Sequence, residues 1–387
     1  MFALGSLQCI GFFGRLYLEC QDEEMTTEKT FRPIAVADLK KAYLFDQAVD
    51  RPRNSTFEED FYTWQYMESG GSRRENSAAL AAWRDDSVIC TLMLSDVDFA
   101  IEGRTVSGAF MHEWYAAPNE GFIGLELLGK ALPYLPVMTG AGASLALTMS
   151  IRRVRPLMLF PLQRLVAVID PTATAALSSL SGEHTAAYLN AATIRKARTG
   201  CQAGDSVACF EEEYDAAWQT MRPSLQLAVE RTVEYMNWRY MRHPRLRYQA
   251  LRCRSDKGVA YFVWRVEQIP GMGAVARLCE AIGTSDAIFE SVPALVSALR
   301  EIPGVAYADF FCSNDAVCSA LHLAGFVHAL PLPDLDLPRL FSPLADDVRK
   351  TLYFWVSFDS KLGFTPRLEP GRTYMTKGDA NQDRPSP

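Results

Sequence analysis

The sequence lacks the residue patterns that indicate a metal site or a disulfide framework. Its nine cysteines form no C-x-x-C pair and lie far apart, as the reduced thiols of cytoplasmic proteins usually do. Its five histidines show neither an H-x-x-x-H spacing nor an adjacent cysteine–histidine cluster. We therefore expect free cysteines, no metal ligand set and a cytoplasmic location.

A basic surface is also lacking. The formal net charge is -7 and the isoelectric point is about 5.4, whereas phosphate contacts require lysines and arginines clustered on one face. The cluster Arg152, Arg153 and Arg155 is too short to change this balance. Nucleic acid is not an expected partner, and the sequence leaves the oligomeric state open.

No apolar run is long enough to span a bilayer. Residues 1–20 are apolar but have neither a positively charged start nor a small-residue cleavage site. Met25 opens a more ordinary beginning, so the preferred explanation is a misassigned start codon. The alternative is an element that packs on the following domain.

What the sequence does contain is an internal repeat. The string from Phe61 to Met67 (FYTWQYM) recurs from Tyr235 to Met241 (YMNWRYM), and Trp64 and Trp238 are 174 residues apart. A chain of 387 residues is long enough for two such units, each with its own core.

The residues that follow each copy match in order. In both, the pattern predicts a hairpin with an Asp-containing turn, a further strand, a helix, a strand and a last short helix. We predict an N-terminal extension at 1–24, a first domain at 25–172, a helical connector at 173–224, a second domain at 225–377 and a polar tail at 378–387.

Several strings resemble the GNAT superfamily of N-acetyltransferases. Phe31–Asp38 is similar to the family's first strand and the Asp that starts its first helix, and Glu113–Pro118 to the end of its fourth strand. Asn119–Gly124 stands where the family has its pyrophosphate loop. Asn314–Phe326 is similar to its final helix and closing Gly-Phe.

The resemblance implies an α+β fold of two tandem GNAT-like units, each a mixed, mostly antiparallel sheet flanked by helices. It implies acetyl-CoA or another acyl-CoA as cofactor, held at the first unit by backbone groups of the loop and the following helix. The implied cofactor-binding residues are Trp114, Tyr115, Ala116, Asn119, Gly121, Phe122, Ile123 and Gly124.

For catalysis, the resemblance implies Glu113 as base, and Tyr115 as a substitute for the family's acid, whose position in the second copy is Leu321. Strand alternation places His112 on the opposite face from Glu113. The loop lacks the family's opening Arg or Gln. In the second copy Asp286 would oppose a pyrophosphate, so no cofactor is expected there.

The nearest resemblance is to tandem GNAT-like proteins encoded with bacterial surface-polysaccharide genes, through Trp238-Arg-Tyr and the tail from Lys377. It implies transfer of an acyl group to a small or sugar-linked amine. Two alternatives stay open: a Fem-type aminoacyl transferase, which the acidic balance disfavours, and a non-catalytic binding protein. Tail residues Asp379, Asp383 and Arg384 either fold back across a cleft or are solvated.

Overall fold

The chain folds into two mixed β-sheets with helices packed against them. The computed structural model describes residues 28–49, 57–69, 79–142, 145–177, 201, 203–269, 271, 273–329, 337, 352–362 and 367–379. The predicted extension at 1–24 and much of the predicted connector lie outside these ranges.

The first sheet contains nine strands in the described residues, with the order β1-β2-β3-β4-β5-β15-β6 and with β9 joining β3 to β16. Its strands are β1 (Lys29–Pro33), β2 (Leu80–Arg84), β3 (Ser87–Ile101), β4 (Arg104–Ala116), β5 (Val137–Ala141), β6 (Leu157–Pro161), β9 (Leu227–Val229), β15 (Tyr353–Phe358) and β16 (Thr373–Tyr374). The pair β4–β5 is parallel, as is β9–β16, and the other pairs are antiparallel.

The second sheet contains seven described strands in the order β14-β7-β13-β12-β11-β10-β8. They are β7 (Gln163–Val168), β8 (Asp205–Ser206), β10 (Tyr248–Ser255), β11 (Gly258–Ile269), β12 (Gly273–Ile282), β13 (Val305–Cys312) and β14 (Val327–His328). Here too one central pair, β12–β13, is parallel. Both sheets are therefore mixed and mostly antiparallel, with flanking helices, as predicted.

The described residues form nine α-helices, and local capping signals mark the ends of some of them. They are α1 (Leu39–Val49), α2 (Glu59–Tyr66), α3 (Ile123–Ala131), α4 (Leu145–Val154), α5 (Pro171–Leu177), α6 (Glu212–Met221), α7 (Val233–Met236), α8 (Ser285–Arg300) and α9 (Asp315–Leu323). The Thr284 and Asn314 side chains accept hydrogen bonds from the first turns of α8 and α9. Gly325 ends α9 with a φ of 109°, a conformation that favours glycine.

Each sheet is completed by a strand from the other half of the chain. β15 pairs antiparallel with β5 on one side and β6 on the other, so it fills a central position of the first sheet. Conversely, β7 lies between β13 and β14 in the second sheet. Each exchanged strand thus belongs by sequence to one predicted domain, 25–172 or 225–377, and by pairing to the sheet of the other. The domain boundaries themselves stay predictions.

The two tryptophans of the repeat meet at the junction of the halves. Trp64 Nε1 donates to the Trp238 carbonyl oxygen at 3.0 Å, and Trp238 Nε1 donates to the Trp64 carbonyl oxygen at 3.1 Å. Their rings stack with centroids 4.8 Å apart and an interplanar angle of 21°. The same pair of groups thus joins the two units in both directions, and both side chains are buried.

We expect Trp238→Phe to lower the free energy of unfolding by about 1–3 kcal/mol more than Trp83→Phe, because it leaves a buried carbonyl without its donor. Trp83 is the matched control, since it is 1% exposed and its indole nitrogen has no hydrogen-bond partner in the described part of the chain. Urea unfolding measures the free energy of unfolding of both variants. Equal losses would contradict a stabilising role for the reciprocal bonds.

Candidate active site

A cavity opens where β4 and β5 diverge. The two strands pair only through Gly108–Phe110 and Val137–Thr139, although β4 continues to Ala116 and β5 to Ala141. The space between the diverging ends is a cavity of about 460 Å³. This volume lies in the range of small-molecule sites.

A β-bulge lies beside this divergence and corrects one prediction. Met93 on β3 faces Glu113, while Leu94 faces Met111, so His112 is the extra residue of β4. The simple alternation that placed His112 away from Glu113 therefore does not hold at this point. Both residues line the cavity. His112 Nε2 also lies 2.7 Å from Ser95 Oγ on β3.

Seven of the nine residues predicted for catalysis or cofactor binding line the cavity: Glu113, Trp114, Tyr115, Ala116, Gly121, Phe122 and Gly124. Asn119 and Ile123 are not among its lining residues. Asn119 is exposed to solvent, and the Ile123 side chain is fully buried in the core beneath α3. The cavity brings the predicted catalytic residues Glu113 and Tyr115 together, and their chemical roles stay predictions.

The loop before α3 forms the mouth of the cavity. Gly121 has a φ of 60° and no atom within 4 Å of the position of a Cβ, so its backbone is openly accessible. Phe122 is 76% exposed. Gly124 is buried, and a Cβ there would lie 3.3 Å from the indole of Trp114. The first-turn amides of α3 have no carbonyl partner one turn earlier within the helix, and so favour an anion.

Two cations reach this loop from neighbouring strands. Arg84 at the end of β2 forms a bidentate pair with Glu120, with both nitrogen–oxygen distances 2.7 Å, and Lys29 on β1 lies 3.4 Å from the same carboxylate. Both cationic side chains are more than a third exposed. Arg84 and Lys29 thus balance the negative charges of Glu120 and of Glu126 in the first turn of α3, although the loop lacks the family's own Arg. No spacing pattern in the sequence indicates this contribution.

The nearby thiol is not suited to nucleophilic attack. Cys90 on β3 pairs with Ala116 at the end of β4 and is fully buried. Burial, with a smaller contribution from Asp46, raises the pKa of the Cys90 thiol to about 12. It is therefore protonated near neutral pH.

The second unit repeats the divergence and the bulge. β12 and β13 pair from Ala274 to Leu278, and β12 then continues to Ile282. Val263 faces Glu280 while Trp264 faces Leu278, so Cys279 is the extra residue. Glu280 therefore occupies the position in β12 that Glu113 occupies in β4.

Residues 373–379, the C-terminal segment, lie between the diverging ends of β12 and β13. Tyr374 Oη donates to Glu280 on β12 at 2.9 Å, and Thr376 forms an antiparallel bridge with Cys312 on β13. Asp379 is only 4% exposed. Of the two alternatives for the tail, folding back therefore holds for Asp379, while Asp383 and Arg384 lie outside the described residues.

A buried charge cluster fixes this segment. Arg231 Nε lies 2.9 and 3.0 Å from the two Glu280 oxygens, and Arg231 Nη2 lies 2.6 Å from Asp379 Oδ2. Tyr240 donates to Glu280 at 2.7 Å, and Tyr235 to Asp379 at 3.3 Å. Burial raises the pKa of Glu280 even though Arg231 opposes it. The carboxylate equivalent to Glu113 is thus bound to the protein's own side chains.

In the described part of the chain, no metal cluster, disulfide or membrane-spanning helix is found. The described residues contain no group of three or more His, Cys, Asp or Glu placed to hold a metal ion. Seven described cysteines form no disulfide: Cys90, Cys201, Cys209, Cys253, Cys279, Cys312 and Cys318. Among the described helices, none has both the length and the apolar character needed to cross a bilayer.

Solved structures share this architecture. A GCN5-related N-acetyltransferase from Anabaena variabilis aligns with a TM-score of 0.55 at 11% identity, over 85% of this chain and 72% of that one. A probable N-acyltransferase from Enterococcus faecalis aligns at 0.53 and 9% identity, over 86% and 73%. N-myristoyltransferase of Saccharomyces cerevisiae, solved with bound myristoyl-CoA, aligns at 0.52 and 9%, over 91% and 87%.

The chain has the GNAT fold. At these identities the likeness concerns the fold alone. No family model matches the chain, and no curated protein matches it. Within the GNAT fold, the cavity lies where the predicted loop Asn119–Gly124 leads into α3.

Besides His112, six lining residues were not predicted for the site, and Trp355 is the most distant of them; the other five are Met111, Leu125, Ala141, Gly142 and Ser150. Trp355 lies on β15, far along the chain from the other lining residues, and only the strand exchange brings it there. A buried-strand pattern was readable in Tyr353–Phe358, but nothing in that pattern specifies which sheet the strand joins.

We expect Asp379→Asn to lower the free energy of unfolding by about 3 kcal/mol, because it removes one of two carboxylates from a fully buried guanidinium. Asp205→Asn is the control. Asp205 pairs with Arg252 and Arg254 at the surface, where ion pairs stabilise little, so we expect a much smaller change. Urea unfolding measures the free energy of unfolding of both variants. Similar decreases in the two would show that the buried cluster does not anchor the segment.

Proposed function

We propose that the protein is an acyl-CoA-dependent N-acyltransferase that binds acetyl-CoA or another acyl-CoA in the cavity of the first unit. The supporting observation is the open cavity between β4 and β5, with the first turn of α3 at its mouth. The acceptor would be a small or sugar-linked amine, and a role in surface polysaccharide biosynthesis would follow from such an acceptor.

The cavity fits the parts of an acyl-CoA. Beyond Phe110, the edge of β4 shares no ladder with β5, so its peptide groups face the cavity and suit the amides of a pantetheine arm. The first turn of α3 and the accessible backbone of Gly121 suit a pyrophosphate. Arg84 and Lys29 offset the acidic charge of Glu120 and Glu126 at the same end.

Two side chains would carry the chemistry. Bound acyl-CoA would supply an activated thioester carbonyl. Glu113, 8% exposed at the bulge of β4, would accept the proton of the acceptor amine, either directly or through one water. Tyr115 would donate a proton toward the departing sulfur. A thiolate also leaves without such help, so Tyr115 is the less essential of the two.

The alternatives have less support. A non-catalytic binding protein would be favoured by a cavity closed by Trp114 or Phe122, but Phe122 is 76% exposed and Trp114 packs against Gly124. A Fem-type aminoacyl transferase requires a basic face for tRNA, and the net charge of -7 disfavours it. The second unit has its C-terminal segment where the first has a cavity, so it would support the fold and shape the acceptor side.

The charge at position 121 tests the site of the cofactor. Asn and Asp both tolerate the left-handed backbone of Gly121, and they differ by one charge. We expect Gly121→Asp to weaken acyl-CoA binding at least about tenfold, since a carboxylate would face the pyrophosphate, and Gly121→Asn to bind within about threefold of the parent. Isothermal titration with acetyl-CoA and a longer acyl-CoA measures both.

A parent protein that binds no acyl-CoA would overturn the proposed function. Equal binding by the Asp and Asn variants would instead show that the pyrophosphate lies elsewhere. Position 124 is a poorer probe, because a side chain there would collide with Trp114 before it reached the ligand.

Removal of the proposed base tests the chemistry. We expect Glu113→Gln to lower the turnover number about 100-fold or more without changing acyl-CoA affinity, because the amine would lose its proton acceptor. Release of free thiol in the presence of a panel of amino sugars and small amines measures turnover. Glu212→Gln, an exposed substitution on α6, is the control. Unchanged turnover in Glu113→Gln would exclude this residue as the base.

A further inference from the structure

Trp355 lies at the inner end of the cavity. Its backbone is paired on both sides, with Gly140 on β5 and Leu159 on β6, so the atoms that line the cavity belong to its indole. A Cβ on Gly140 would lie only 2.8 Å from the indole Cζ2. The ring therefore lies flat over Gly140, and glycine is the residue that allows it to do so.

The position of this ring defines the length of the cavity. Gly140 is the first residue of β5 beyond Thr139, where pairing with β4 ends. The indole thus closes the narrow end of the gap, next to Met111, the first residue of β4 beyond the same pairing. Gly121 and Phe122 lie at the opposite, open end.

The space between these ends is limited. Met111 and Ala116 face Leu94 and Cys90 on β3, so with the bulge at His112 this part of β4 advances by four positions, roughly 13 Å of extended strand. An extended pantetheine arm is of comparable length, so its thioester would lie close to the indole when the pyrophosphate is at the mouth. Little room remains for an acyl chain. Trp355 is 1% exposed and packs in the core with Leu127 and Ile151, so the ring is held in place.

We infer that Trp355 determines acyl-chain length in the first unit, with its indole excluding long-chain acyl-CoA thioesters and leaving room for short ones. The inference rests on the proposed function, because it requires acyl-CoA in this cavity. It also assigns a specificity residue to the half of the chain that contributes the exchanged strand.

Titration with a chain-length series tests the inference. For the parent protein we expect acetyl-CoA to bind at least about tenfold more tightly than decanoyl-CoA, a discrimination that a closed apolar end readily supplies. We expect Trp355→Ala to bind decanoyl-CoA about tenfold more tightly than the parent does, since the vacated space is apolar and accepts methylene groups. Acetyl-CoA and free CoA should bind both proteins within about threefold.

Two further variants keep the result interpretable. Trp83→Ala removes another indole that is 1% exposed but belongs to a separate core cluster with Ile34 and Leu39, so it should leave the chain-length profile unchanged. Trp355→Phe removes less volume and should fold where the alanine variant does not. It should admit an intermediate chain, such as hexanoyl-CoA.

The outcomes separate the inference from the proposed function. A parent that binds no acyl-CoA would overturn both. A parent that binds acyl-CoA but gives the same chain-length profile as Trp355→Ala and Trp355→Phe would overturn the inference alone. Equal binding of acetyl-CoA and decanoyl-CoA by the parent would also overturn it. A shift toward longer chains in the Trp355 variants, absent in Trp83→Ala, would support it.

Discussion

The fold depends on the pairing of each sheet with a strand from the other half. Without β15, β5 and β6 would present unpaired edges in the middle of the first sheet, and without β7 the same would hold for β13 and β14. The stacked pair Trp64–Trp238 lies at the same junction. Strand pairing therefore joins the two units into one hydrogen-bonded structure, although the repeat in the sequence indicates two domains.

The same backbone feature, a parallel strand pair that diverges next to a β-bulge, has a different role in each unit. A parallel strand pair diverges beyond a bulge in both, since the extra residue bends and twists its strand. In the first unit the divergence leaves a cavity beside Glu113. In the second, the C-terminal segment takes that space, and Glu280 pairs with Arg231 instead. The two units thus share this backbone geometry, while the side chains at it differ and in the second unit stabilise the fold.

Much of this arrangement was predictable because it rests on local signals. Strand periodicity, the Asp-containing turns and the offset between Trp64 and Trp238 identify the elements and their order in each unit. The loop residues Gly121 and Phe122 were assigned to the cofactor site by the resemblance to the GNAT family, whose pyrophosphate loop also follows a strand and precedes a helix.

The rest depends on contacts between distant residues. The bulge at His112 arises from the register with β3, and no single strand specifies its own register. Arg84 reaches the loop only because β2 ends at the same sheet edge. Asp379 appeared to belong to a polar tail, and its burial requires Arg231, almost 150 residues earlier. Such pairings become visible only when the chain has folded.

The strand exchange also determines when the first sheet can be completed during synthesis. When a ribosome has completed β6, the position beside it in the first sheet must wait for β15, which begins about 190 residues later. At common elongation rates this delay is on the order of 10 to 40 s. Throughout that interval the nascent first half exposes the strand edges that β15 will cover. Its cavity also lacks the Trp355 indole, which lies on β15. The cavity is thus complete only in chains whose synthesis is nearly finished.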